Sequence, residues 1–131
     1  MNITYKINEA ILTDDFVDIL NRSTLGERRP IDDKARLSDM LVNADVLVLA
    51  FDGEKIVGLA RSLTDFSYCC YLSDLAVDVA YQQQGIGKML IKKTKESLKN
   101  GCKIILLSAP KATEYYPKIG FKQHPSAWVL G

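Results

Sequence analysis

"YLSDLAVDVAYQQQGIGKMLIKKTKE", residues 71–96, decides how the rest of this chain is read. Its first part, through Val79, is a largely apolar strand run, as expected of a strand covered on both faces. Its last part repeats Ile86, Leu90 and Thr94 every four residues, with Lys88, Lys92 and Lys95 on another face. That spacing predicts an amphipathic helix running through Leu98 and stopped by Asn100-Gly101. Gly85 and Gly87 stand where the helix begins. Glycine weakens a helix, so a pair at its mouth points to a use for the backbone itself.

A strand that ends where a helix begins aims unpaired N–H groups at one point, and the helix dipole adds partial positive charge there. A phosphate or pyrophosphate fits such a place, with Gly85 and Gly87 keeping side chains out of its way. A tight turn, or a helix packed close to the sheet, accounts for the same glycines. The spacing is neither the dinucleotide fingerprint GxGxxG nor the P-loop GxxxxGK[ST], which counts against a nucleotide-binding protein using the same helix start.

Working outward, "DVLVLAFDGEKIVGLARSLTD" holds two β-rich runs joined by Asp52-Gly53, a hairpin signal. Before it, "ITYKIN" alternates like a strand, and "TDDFVDILNRS" reads as a helix with Thr13 as N-cap and Phe16, Ile19 and Leu20 inward. Asp32 or Asp33 caps a second helix that presents Leu37, Met40 and Leu41 and ends near Asn43. After the glycine pair, "CKIILLSA" is a buried strand, "KATEYYPKI" a brief helix around Pro117, and "GFKQ" and "AWVL" are the final extended pieces. The order is β-α-α-β-β-β-α-β-α-β-β. It predicts an α/β fold, a mixed sheet with a parallel pair spanning residues 71–108 and helices on both faces.

The chain has 131 residues, 47% hydrophobic and 25% charged with net charge +1, which predicts one globular domain over residues 1–131. Such balance carries no nucleic-acid or membrane footprint, so the expected partners are small molecules or proteins. "MNITYKINEA" lacks an apolar block and no run reaches membrane-spanning length, so the expected location is cytoplasmic. Cys69, Cys70 and Cys102 have no CxxC spacing, and the single His124 completes no metal set with them. Reduced thiols and no metal are expected.

The stretch Gln82-Gln83-Gln84-Gly85-Ile86-Gly87 resembles the Q/R-x-x-G-x-G/A motif of the GNAT superfamily of N-acetyltransferases, and "ATEYYPKIGF" is similar to that family's "A..FY.K.GF" segment. The resemblance spans nearly the whole element order. It implies a GNAT-like, mostly antiparallel sheet whose parallel pair splays at a cofactor slot. It implies acetyl-CoA as acyl donor, with the pyrophosphate on the amides of Gln84, Gly85, Ile86, Gly87 and Lys88, and Gln82 at the first motif position. On the same resemblance, the backbone around Leu75 and Val77 would pair with the pantetheine arm, and one of its N–H groups would polarise the thioester carbonyl. Tyr116 would be the acid that protonates the leaving thiolate.

Ser73 stands where polyamine-type members read "YLED", which leaves Asp74 as the candidate base, and "SAPKA" lacks the asparagine that often follows the fifth strand. The acceptor pocket of such a fold draws on its first two helices, their connection and the hairpin, where Arg28, Arg29, Arg61 and Tyr68 lie. An unpaired charge at Arg61 on an apolar strand would be costly. Arg61 therefore binds an acceptor carboxylate or pairs with Asp65 or Asp74. The implied function is direct acetyl transfer to a primary amine, the rival being a non-catalytic acyl-CoA-binding or interaction module. "AWVL" at a sheet edge points to a homodimer.

Overall fold

β2 (Val46–Asp52) divides its side chains between two cores in this computed structural model, which describes residues 2–131. Leu47, Leu49 and Phe51 join Phe16, Ile19 and Leu20 of α1 (Thr13–Arg22) and Leu37 of α2 (Lys34–Val42). Val46, Val48 and Ala50 join Ile86 and Leu90 of α3 (Ile86–Glu96) on the opposite face. The period of two along a strand is what gives one segment two buried faces.

The sheet order is β1-β2-β3-β4-β5, with β1 at Ile3–Ile7, β3 at Lys55–Thr64, β4 at Cys69–Val77 and β5 at Lys103–Ile105. Neighbours from β1 to β4 are antiparallel, whereas β4 and β5 are parallel. The hairpin pairs Asp52 with Lys55, so its turn is Gly53-Glu54, one residue beyond the Asp52-Gly53 reading, with Gly53 at φ +63°. Gly58 lets α3 lie on the sheet, because a Cβ there would stand 3.0 Å from Leu90 Cδ1 and 3.1 Å from Ile86 Cγ2.

A bulge in β4 sets up the site. Arg61 pairs with Asp74 but Ser62 pairs with Leu72, leaving Ser73 as the extra residue. Leu72 belongs to the α3 core, and after the bulge it is Leu75 and Val77 that pack there, while Ala76 joins the α1/α2 core. One inserted residue thus reverses which face each later side chain takes.

The β4–β5 ladder pairs Cys69 with Lys103, Cys70 with Ile104 and Tyr71 with Ile105, and then stops while β4 continues to Val77. The strand expected over "CKIILLSA" is therefore paired only at Lys103–Ile105, and the two strands part beyond it.

Two helix boundaries differ from expectation, and two expected strands do not form among the described residues. Leu12, not Thr13, is the N-cap of α1, because the Asp15 carboxylate accepts the Leu12 amide at 3.2 Å. Asp33, one of the two expected caps, does cap α2, accepting the Arg36 amide at 3.0 Å. α3 ends at Glu96, short of Asn100-Gly101; the Ser97 hydroxyl donates to Lys93 O at 3.1 Å where the next turn would begin. After α4 (Tyr115–Lys118), neither "GFKQ" nor "AWVL" forms a strand among the described residues. A strand needs a neighbouring edge to bond, and the three-residue β5 presents little of one. Trp128 is left 92% exposed.

All three cysteines are free, with Cys70 and Cys102 buried and Cys69 exposed. Among the described residues no helix is long and apolar enough to cross a membrane.

Candidate active site

Where β4 and β5 part, a cleft of about 1070 Å³ opens, floored by Leu75 and Val77 of β4 and flanked by Leu106 and Leu107 beyond β5. At one end lies the mouth of α3. Gly85 is its N-cap at φ +81°, preceded by Gln83 at φ +64°. The Met89 amide closes the first turn on Gly85 O at 3.0 Å, so the amides of residues 86–88 have no acceptor within the helix. Successive N–H groups beside left-handed residues form a concave anion seat. Gln82 Nε2 donates to Val77 O at 3.2 Å and ties the loop to the strand end.

Gly87 has a further use that its spacing did not reveal. A Cβ on it would stand 2.7 Å from the Tyr115 hydroxyl, so the missing side chain makes the seat for that phenol. Tyr115 packs edge-on against Tyr116 at 5.3 Å between ring centroids, and Tyr116 packs against Phe121 at 5.5 Å. Both tyrosines line the cleft. Burial pushes both phenols above the ordinary tyrosine range, with Tyr115 adding to the effect on Tyr116. Each therefore keeps its proton at neutral pH and is a hydrogen-bond donor.

The opposite end is built on Asp74. Its side chain is wholly buried, with Arg61 Nε on Oδ2 and Arg29 Nε on Oδ1, each at 2.5 Å. Arg61 also donates to the Ser73 hydroxyl at 2.9 Å, and Arg29 to the Ser73 carbonyl at 2.7 Å. The two guanidiniums thus clamp the β4 bulge. Asp65 takes no part: it accepts the amides of Ser67, Tyr68 and Cys69 at the β3–β4 turn, and these hold its carboxyl below the usual range.

The structure brings most of the sequence-selected residues to one cleft: Arg28, Arg29, Leu75, Val77, Gln82, Gly85, Ile86, Gly87, Lys88 and Tyr116 all line it. Gln84 precedes the helix mouth without lining the cleft. Arg61 and Asp74 lie beneath the floor, because the bulge turns Asp74 toward the α1/α2 side. Tyr68 is placed outside: it is 72% exposed at the start of β4, the end of that strand away from α3.

Sequence reasoning missed Tyr115, Glu27 and the bulge at Ser73. Tyr115 announced itself only as the neighbour of Tyr116, and Glu27 only as an acid in the polar connection "GERRP". A bulge leaves no mark on hydrophobic alternation until the strand's partner is known.

The fold and the sequence find counterparts in known proteins. The profile of the family described as "Acetyltransferase (GNAT) domain" matches residues 29–129. Glucosamine 6-phosphate N-acetyltransferase from Trypanosoma brucei brucei is 32% identical over 101 residues, covering 69% of each chain. A GNAT-family acetyltransferase from Streptococcus pneumoniae TIGR4 superposes with a TM-score of 0.79 at 26% identity, over 98% of both chains. An aminoglycoside N-acetyltransferase solved in complex with CoA shares the fold, with a TM-score of 0.75 at 17% identity over 99% of this chain and 94% of its own. The chain spans about a third of the length of the plant relatives it matches at 32% identity. With a matched region that takes in the arginine clamp, the parted strands, the open helix mouth and the tyrosine pair, the chain belongs to the GNAT acetyltransferase family.

Proposed function

We propose that this chain is an acetyl-CoA-dependent N-acetyltransferase that passes an acetyl group directly to a primary amine. One observation carries the reading: the unpaired edge of β4 runs straight toward the free amides of residues 86–88 along a single cleft. That cleft fits the donor. Its helix mouth suits a pyrophosphate, with Lys88 beside it, and its open strand edge suits an amide-bearing chain that adds as a pseudo-strand.

Acetyl-CoA, when bound, supplies the acetyl group as an activated thioester. The β4 main chain at the bulge orients the reacting carbonyl and offers it an N–H group. Tyr116 gives its phenolic proton to the departing sulfur, a task suited to a phenol that burial keeps protonated. The parted strands hold amine and thioester in line, so proximity supplies much of the rate. Asp74, enclosed by two guanidiniums, acts as a positioning residue for the bulge rather than as the base expected from adjacency.

An amine on a small molecule is the acceptor class we favour, in keeping with the amino-sugar substrate in the name of the trypanosomal relative. The three free thiols support a cytoplasmic setting.

A thermal-shift titration with acetyl-CoA, CoA, ATP and NAD, beside Gly85→Asp, tests the cradle. Both CoA species raise Tm in the native chain and fail to do so in the variant, where a carboxylate meets the open amides. Stabilisation by ATP or NAD alone would sink the reading. A second reading, an acyl-CoA-binding module without turnover, is favoured by Ser73 in place of an acid. Tyr116→Phe separates the two: an enzyme loses turnover and keeps CoA affinity, whereas a binding module has no turnover to lose.

A further inference from the structure

We infer that Glu27 is the carboxylate that receives the acceptor ammonium and takes its proton, an assignment that rests on the acetyl-transfer reading above. Glu27 is the sole acidic side chain lining the cleft among the described residues. Asp74 has both oxygens taken and no exposure, and Ser73 offers only a hydroxyl already engaged by Arg61. Glu27 has no ion-pair partner within 4.0 Å among the described residues, although two arginines follow it, because Arg29 is turned inward onto Asp74. A free carboxylate at a cleft wall is placed to attract a cation.

The backbone that carries Glu27 is held, while its side chain is exposed. Glu27 sits in the 3-10 turn Leu25–Arg28, whose entry is fixed by the Ser23 hydroxyl donating to Leu20 O at 2.9 Å and accepting the Leu25 amide at 3.2 Å. The Glu27 amide bonds Thr24 O at 3.2 Å. Gly26 beside it nests against α1, where a Cβ would fall 2.5 Å from Asn21 Oδ1.

The proton balance is closed by groups on the page. The ammonium gives one proton to the Glu27 carboxylate, and the freed nitrogen forms the new N–C bond as the C–S bond breaks. The nitrogen's second proton leaves to solvent, Tyr116 gives its proton to the departing sulfur, and both side chains are then reset by solvent. Net, an ammonium and a thioester yield an amide, a thiol and one proton. The other charged and titratable groups lining the same cleft are Arg28 and Arg29 from the same connection, Tyr71 from β4, Tyr81 and Lys88 around the mouth of α3, Lys111 ahead of α4, and Tyr115 and Tyr116. On α1, which the turn packs against, Arg22 is tied to Asp18 and Asp78.

The test compares Glu27→Gln and Glu27→Asp with the native chain, using spermidine, tyramine and glucosamine 6-phosphate as acceptor probes. Loss of a general base lowers kcat about 100-fold in Glu27→Gln. The CoA-induced thermal shift stays unchanged, the further shift caused by the accepted amine disappears, and Glu27→Asp recovers part of both. The dependence of kcat/KM on pH moves in Glu27→Gln toward the titration of the free amine. Native turnover with unaltered kcat in Glu27→Gln overturns the assignment, as does loss of the CoA-induced shift, which would make Glu27 a prop for the cleft. If the native chain binds CoA yet acetylates none of the probes, the acetyl-transfer reading falls and the assignment with it.

Discussion

Arg61 and Asp74 stand opposite each other in the β3–β4 register, at the bulge, and join Nε to Oδ2 at 2.5 Å with almost no exposure on either side. Two buried opposite charges are tolerable only because each is met, and Arg29 completes the set from the far side. Asp74→Ala would leave Arg61 buried and unpaired, an arrangement that costs about 3 kcal/mol or more. Urea unfolding should register that loss in Asp74→Ala; a variant with native stability and no turnover would instead restore Asp74 as the base.

Gly87 and Tyr115 make a coupled pair. Alanine in a helix is favoured over glycine by about 1 kcal/mol, but here its Cβ would meet the Tyr115 hydroxyl. Gly87→Ala should therefore stabilise the Tyr115→Phe background and give less, or nothing, in the native one. Thermal melts of the two single variants and the double variant check the coupling; additive Tm changes would refute it.

Asp78 ties the end of β4 to α1 through a 2.6 Å contact with Arg22, and its carboxylate also accepts the Ala80 amide. Burial opposes ionisation, but the Ala80 amide, Arg22 and Lys55 outweigh it, and the carboxyl titrates below the ordinary aspartate range. A depressed native pKa means a stabilising contribution present above the unfolded-state value and lost as pH falls through the native one. Asp78→Asn should thus be less stable than the native chain at neutral pH, with the gap narrowing in acid. A gap that stays constant across an acid titration of Tm would exclude the linkage.

Trp128, Val129 and Leu130 are 92%, 79% and 103% exposed, and the outer edge of β5 pairs with nothing among the described residues. An apolar tail and an open edge would be met together by a second copy of the chain, the homodimer expected from "AWVL". Light scattering should find a dimer that Trp128→Asp returns to monomer. A native monomer at high concentration would remove the dimer from this picture.

Local order along the chain was enough for the two-core sandwich and for the helix mouth. Period-two and period-four hydrophobicity tell which face of an element is buried without reference to its neighbours, and Gly85 marks a left-handed residue wherever the chain goes. These signals are local because backbone sterics and amphipathicity act over a few residues. The site residues were selected by the resemblance rather than by these signals, and ten of them line one cleft.

Only the tertiary structure decided what Asp74, Gly87 and Glu27 face. Asp74 is turned inward by the bulge at Ser73, a register event that depends on pairing with β3. Gly87 is a seat for Tyr115, which lies on a helix well along the chain. Glu27 lines the cleft in the same connection as Arg29, whose guanidinium is committed to Asp74. "GFKQ" and "AWVL" carry strand-like patterns, yet a strand is completed by its partner's hydrogen bonds, and β5 parts from β4 too soon to offer them. The local sequence determined the helices, most of the strands and the open mouth of α3; contacts between segments far apart in the chain determined which acid lies inside the sheet and which faces the cleft.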